Sequence, residues 1–195
     1  SRLECTIPEL IAGFAACGFC GWYVMEKHWV ANNALGLAFS LTGVEFLTLD
    51  SVQIGTILLV GLFFYDIFWV FFTPVMVTVA KSFDAPIKLL FPRDADPDSK
   101  SPFSMLGLGD IVVPGIYVAL TLRMDRARAE QARAEGKPAP VRYFPAVIFG
   151  YFAGLATTII VMNVFNAAQP ALLYIVPGIL GATFIRALIG GGFKE

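Results

Sequence analysis

Two carboxylates stand where carboxylates are expensive. Asp66 lies inside the run Gly61-Leu62-Phe63-Phe64-Tyr65-Asp66-Ile67-Phe68-Trp69, and Asp110 inside Met105-Leu106-Gly107-Leu108-Gly109-Asp110-Ile111. In the middle of a bilayer each costs on the order of 2.5–3.5 kcal/mol for insertion. No Lys, Arg or His sits near either one in its apolar run to offset that by pairing. Asp66 follows Val52 by about 14 residues and Asp110 precedes Leu122 by about 12, so at 1.5 Å per helical residue both lie roughly 20 Å from the same membrane face. Two antiparallel neighbours would bring them level. A pair of carboxyls held close in a low dielectric keeps one proton between them. Its ionised member can take a proton from an attacking water, and its protonated member can stabilise the developing oxygen charge and then protonate the leaving nitrogen. On these grounds alone a cation or proton pathway, or a non-catalytic binder of membrane segments, remains open beside the protease.

Neighbouring residues suggest how a substrate could reach the pair. Gly107 and Gly109 flank Leu108 just before Asp110 and let an extended chain approach the carboxylate, although small-residue helix packing would use them equally well. Gln169-Pro170-Ala171-Leu172-Leu173 opens the last apolar run, and Pro170 suits a first helical turn because it lacks a donor that would be unpaired there. Tyr65 could hydrogen-bond the pair or fill a groove between helices.

The elements that must position these residues are membrane helices. The chain is 57% hydrophobic and 15% charged, against about 25% charged in soluble domains, and its mean hydropathy is +0.71. Six apolar runs emerge as spans: Ile7–Met25, Ala34–Leu49, Val52–Ala80, Phe103–Leu122, Tyr143–Phe165 and Pro170–Ile189. Only helices satisfy their own backbone within each such segment, so the expectation is an all-α polytopic bundle forming a single transmembrane catalytic domain, 1–195. Lys81–Pro102, with four prolines and four aspartates, reads as a mobile loop. The first part of Arg123–Arg142 reads as a short exposed helix. Placing that basic loop in the cytosol puts both chain ends there and the connection between the third and fourth spans on the other side. The net charge of −1 argues against a nucleic-acid partner. Cys5, Cys17 and Cys20 lack the companions of a metal site and read as packed, reduced thiols. His28, beside Lys27 and Trp29, reads as an interfacial anchor. Ser1-Arg2-Leu3 carries no initiator Met and no signal peptide, which suggests a fragment or a processed product.

Tyr65-Asp66, Gly107-Leu108-Gly109-Asp110 and Pro170-Ala171-Leu172, in order on the third, fourth and last spans of this plan, resemble the YD, GxGD and PAL motifs of the presenilin and signal peptide peptidase clan. His28-Trp29-Val30-Ala31-Asn32-Asn33, the segment Tyr65 to Phe71 and Lys81-Ser82-Phe83-Asp84-Ala85-Pro86-Ile87-Lys88 are more similar to the signal peptide peptidase family than to presenilins. The resemblance covers nearly all of the chain. It implies the last six spans of a nine-span fold, and an endoplasmic reticulum enzyme that cleaves signal peptides and type II membrane anchors without a metal or other cofactor. It further implies Asp66 and Asp110 as the dyad, Gly107, Leu108 and Gly109 as substrate contacts, and Pro170, Ala171 and Leu172 as a wall for the scissile strand, with Tyr65 and Gln169 beside them. Homo-oligomers and membrane quality-control proteins are the further partners this implies. The terminal Gly192-Phe193-Lys194-Glu195 departs from the family's dilysine-type retrieval signal, so residence in the endoplasmic reticulum rests on the resemblance.

Overall fold

The computed structural model describes residues 7–72, 88–92, 103–138, 140–165 and 170–190. Along the chain these form α1 (Ile7–Glu26), α2 (Trp29–Phe46), α3 (Val52–Phe72), β1 (Lys88–Pro92), β2 (Phe103–Gly107), α4 (Gly109–Ala134), α5 (Phe144–Phe165) and α6 (Leu172–Ile189). Four helices, α1, α3, α5 and α6, are long and apolar enough to cross a membrane. The protein is thus a multi-pass, predominantly α-helical membrane protein. α2 and α4 are shorter in apolar length: α2 carries Asn32, Asn33 and Glu45, and α4 turns charged after Leu122, leaving about half to two-thirds of the apolar stretch that a perpendicular span needs.

Residues group into two compact units, Ser1–Phe39 with Ala85–Leu108 and Ser40–Asp84 with Gly109–Glu195. In the first, α1 buries none of its residues. Cys17 and Cys20 therefore lie exposed on its surface as free thiols, where the sequence suggested packed ones; Cys5 is outside the described residues. The helix ends at Lys27, whose φ of 47° and bond from its N–H to Tyr23 O at 2.8 Å make a left-handed stop. His28 then stacks near Trp22 and Trp29 and its Nδ1 accepts the Val30 N–H at 3.3 Å, a local cap for α2 that explains the residue structurally.

The same unit contains an antiparallel hairpin in which Lys88 faces Gly107, Leu90 faces Met105 and Pro92 faces Phe103. Two expectations change here. Lys88–Pro92 is a strand within the segment read as a loop, and Phe103–Gly107 is a strand where the fourth span was expected to begin as helix. Short apolar runs fit either strand or helix, and Gly107 and Gly109 oppose a helix interior, so the helix starts only at Gly109.

The second unit is a helix cluster in which α5 and α6 pack most closely. Gly150, Gly154 and Gly178 bring their backbones together: a Cβ on Gly178 would lie 2.5 Å from Gly150 O, and one on Gly154 would lie 2.7 Å from Tyr174 O. Leu59, Ile116, Tyr117, Val147, Ile175 and Ile179 form the core. Tyr117 sits against Gly55 of α3, where a Cβ would come within 2.8 Å of its ring, and its hydroxyl meets Thr183 Oγ1 at 3.4 Å. α4 continues past Leu122 as one helix, absorbing the segment read as a separate exposed helix, and stops at Gly136 with φ 64°. There the Lys137 N–H closes on Ala132 O at 2.8 Å. Asp125, buried late in α4, accepts the Tyr143 and Phe144 N–H groups on Oδ2 at 2.7 and 2.8 Å. It caps α5 from another helix, satisfying donors that the first turn leaves unpaired.

Candidate active site

The last helix begins with a backbone donor to spare. Pro170 and Ala171 are buried, and the first intrahelical bonds run from Leu173 N to Pro170 O, Tyr174 N to Ala171 O and Ile175 N to Ala171 O. Leu172 stands at the first helical position, where a helix leaves the N–H without an intrahelical acceptor. That N–H donates to the Asp66 carboxylate. A helix N-terminus also carries partial positive charge that suits an anion. The Pro-Ala-Leu turn is therefore an amide donor placed against Asp66, a role the sequence did not reveal.

Asp66 is 8% exposed, and its Oδ2 is buried without a hydrogen-bond partner among the described residues. An orphaned buried carboxylate oxygen is costly, and it is rare enough in folded proteins to need a reason. Asp110, in the first turn of α4 and half-buried, lies close enough to Asp66 to feel its charge. Tyr151 of α5, not singled out from the sequence, lies within the same electrostatic reach of Asp110. Pro114, four residues after Asp110, is buried within α4 and cannot donate to the Asp110 carbonyl as a helix would require. The turn bearing Asp110 is loosened by that missing bond.

The other candidate residues are placed as follows. Gly109 is exposed and a Cβ built on it would meet nothing within 4 Å, so open space lies beside Asp110. Gly107 ends β2 and Leu108 is buried; both belong to the hairpin unit. Tyr65 is 59% exposed and lies 5.8 Å from the Trp69 ring. One residue along a helix is a turn of about 100°, which carries Tyr65 away from the buried face that holds Asp66. Gln169 is outside the described residues. A cavity of about 740 Å³ among α3, α4 and α6, lined in part by Thr56, Tyr117, Thr183 and Phe184, includes neither aspartate. Among the described residues no cluster of His, Cys, Asp and Glu could hold a metal ion.

Thr158 of α5, also unmarked by the sequence, is 1% exposed. Its Oγ1 lies 2.9 Å from Gly154 O and 3.4 Å from Ala171 O. The turn that presents Leu172 is thus tied to α5 through a hydroxyl and a glycine contact. A small residue and a β-hydroxyl four positions apart on one apolar helix are the only sequence signal for it.

The family model for signal peptide peptidase matches residues 2–195. The chain is 52% identical over 179 residues to a signal peptide peptidase of Mus musculus, covering 89% of this chain and 44% of that protein. It is 51% identical over 176 residues to that of Homo sapiens, with 89% and 45% covered. With intramembrane protease 2 of Caenorhabditis elegans it shares 48% over 176 residues, covering 87% and 38%. The chain spans less than half the length of these relatives. No solved structure gives a significant match. A buried aspartate under the Pro-Ala-Leu turn, a second aspartate within electrostatic reach of it after Gly-Leu-Gly, and a family match over almost the whole chain agree: this chain belongs to the signal peptide peptidase family.

Proposed function

We propose that the chain is the catalytic membrane portion of an intramembrane aspartic endopeptidase, with Asp66 and Asp110 as its dyad. The observation that carries this reading is the setting of Asp66: one face of the carboxylate held by the Leu172 amide, the other oxygen buried and without a partner among the described residues, and Asp110 near enough to interact. Between them the pair holds one proton. The ionised member takes a proton from water as its oxygen adds to the peptide carbonyl, and the protonated member donates to the developing oxyanion. Collapse of the tetrahedral intermediate breaks the C–N bond, with the nitrogen leaving protonated by the dyad.

A helical substrate hides its carbonyls, so the scissile segment must be extended. The hairpin register supports such a mode. Both polar groups of Leu90 are taken by a side chain of α2 and not by β2, so Leu90 and Met105 are a non-hydrogen-bonded pair. Phe103, Met105 and Gly107 then turn their N–H and C=O groups away from β1. Those groups can pair with an added strand. Gly107 is three residues from Asp110, which covalent geometry keeps within about 11 Å.

The substrates that fit the family are signal peptides and type II membrane anchors, and the compartment is the endoplasmic reticulum membrane, with the chain ends cytosolic. The full reading includes the six spans as the last six of a nine-span fold, homo-oligomers and quality-control partners. Asp66→Asn and Asp110→Asn should each abolish cleavage of a model signal peptide in detergent while leaving the melting temperature within a few degrees. Cleavage retained by either variant removes that residue from the dyad. Ion flux in liposomes that persists with a transition-state isostere bound, and vanishes in the Asp variants, would replace the protease by an ion pathway.

A further inference from the structure

The hairpin is held by two adjacent side-chain amides near the start of α2. Asn33 Oδ1 accepts the Leu90 N–H at 2.7 Å, and Asn33 Nδ2 donates to Leu90 O at 2.7 Å. Asn32 Nδ2 donates to Lys88 O at 2.7 Å, and its Oδ1 accepts from the Tyr23 hydroxyl at 3.2 Å. Asn32 is 4% exposed. This reciprocity allows only one orientation for each amide. A primary amide carries an acceptor and a donor at the spacing of a peptide group, so Asn33 bonds Leu90 as a residue of a neighbouring strand would. Lys88 and Leu90 point the same way because strand residues two apart share an edge.

We propose that Asn32 and Asn33 are positioning residues that act as a substitute third strand on the outer edge of β1, holding the hairpin formed before substrate arrives and directing the substrate strand to the edge of β2. This deepens the proteolytic reading and rests on it. An isolated two-stranded hairpin is marginal by itself. Without the amides its ordering would be drawn from substrate binding, which weakens the apparent affinity by the fraction of time the hairpin is formed. With them the outer edge of β1 is closed, and among the described residues no strand pairs with the outer edge of β2. The ligand is an extended apolar peptide whose backbone supplies alternate N–H and C=O groups to Phe103, Met105 and Gly107.

The test compares Asn33→Ala and Asn33→Asp with their parent, all carrying Asp66→Asn so that binding is read without turnover. Asn33→Asp keeps size and the acceptor for the Leu90 N–H and sets a carboxylate oxygen against Leu90 O in place of the donor, so it reports on the clamp even if Asn33→Ala folds poorly. Two quantities are measured: amide exchange at Leu90 in the substrate-free protein, and the Kd for a fluorescent signal peptide beside that for a short hydroxyethylene isostere spanning only the scissile bond. Expected are faster exchange at Leu90 in both variants, a signal-peptide Kd raised roughly tenfold, as one or two lost hydrogen bonds imply, and an isostere Kd within about twofold of the parent. Unchanged exchange, or faster exchange with an unchanged signal-peptide Kd, overturns the proposal. So does equal loss of both ligands, which is what a general loss of fold would give. None of these readouts needs catalysis, so they stay separate from the Asp66 and Asp110 cleavage test.

Discussion

A methyl group at Gly154 tests whether the α5–α6 contact sets the chemistry. Built on the backbone, the Cβ would lie 2.7 Å from both Tyr174 O and Ile175 Cα and 3.1 Å from Ile175 N, where ordinary contact begins at 3.4 Å. Relief requires about 0.7 Å of separation, and every atom met belongs to the main chain, which cannot swing aside like a side-chain tip. Overpacking of this kind costs about 1–3 kcal/mol. Tyr174 and Ile175 lie within one turn of Leu172, and Thr158 on the same face of α5 approaches Ala171 O, so the displacement passes directly to the Leu172 amide. A hydrogen bond lengthened by that amount falls outside useful geometry, and a misplacement near 1 Å in a reacting constellation costs on the order of 100-fold. Gly154→Ala should therefore lower kcat for a signal peptide by about 10- to 100-fold and lower the melting temperature, with KM changed by no more than about threefold. The assay is steady-state cleavage in detergent beside thermal unfolding of the same preparation. A variant that is destabilised yet keeps the parent kcat would show that α5 does not position the Leu172 donor; one that keeps both would show that the helices absorb the methyl elsewhere.

Other substitutions probe different parts of the molecule. Gly109→Ala adds a methyl into open space, so stability should move by no more than about 0.5 kcal/mol, while the proposed passage of substrate beside Asp110 makes KM rise; an unchanged KM would place the substrate elsewhere. Asp125→Ala removes the acceptor for two buried N–H groups at the start of α5 and should cost about 1–3 kcal/mol in unfolding experiments, with the folded fraction cleaving at close to the parent kcat. Unaltered stability there would mean that the first turn of α5 is satisfied without Asp125.

Periodicity and composition located most of the helices because a bilayer leaves few alternatives: a long apolar run must satisfy its own backbone, and α1, α3, α5 and α6 follow that rule. They failed around Phe103–Gly107, where five apolar-to-small residues suit a strand as well as a helix and only pairing with Lys88–Pro92 decides. The same limit merged the exposed helix after Leu122 into α4. Thiol packing failed on α1, whose residues are all outside the core, because hydrophobicity alone does not say whether protein or lipid is the neighbour.

By itself the sequence determined that Asp66 and Asp110 stand in apolar runs where a carboxylate is costly, and that Pro170 precedes the last apolar run, since each follows from residue type and spacing. The three-dimensional packing decided which donor meets Asp66, which amides hold β1 and which carboxylate caps α5. Those contacts are directional and span distant parts of the chain. They depend on close approaches, as where Gly150, Gly154 and Gly178 let two backbones touch, and no local pattern of residues encodes such a distance.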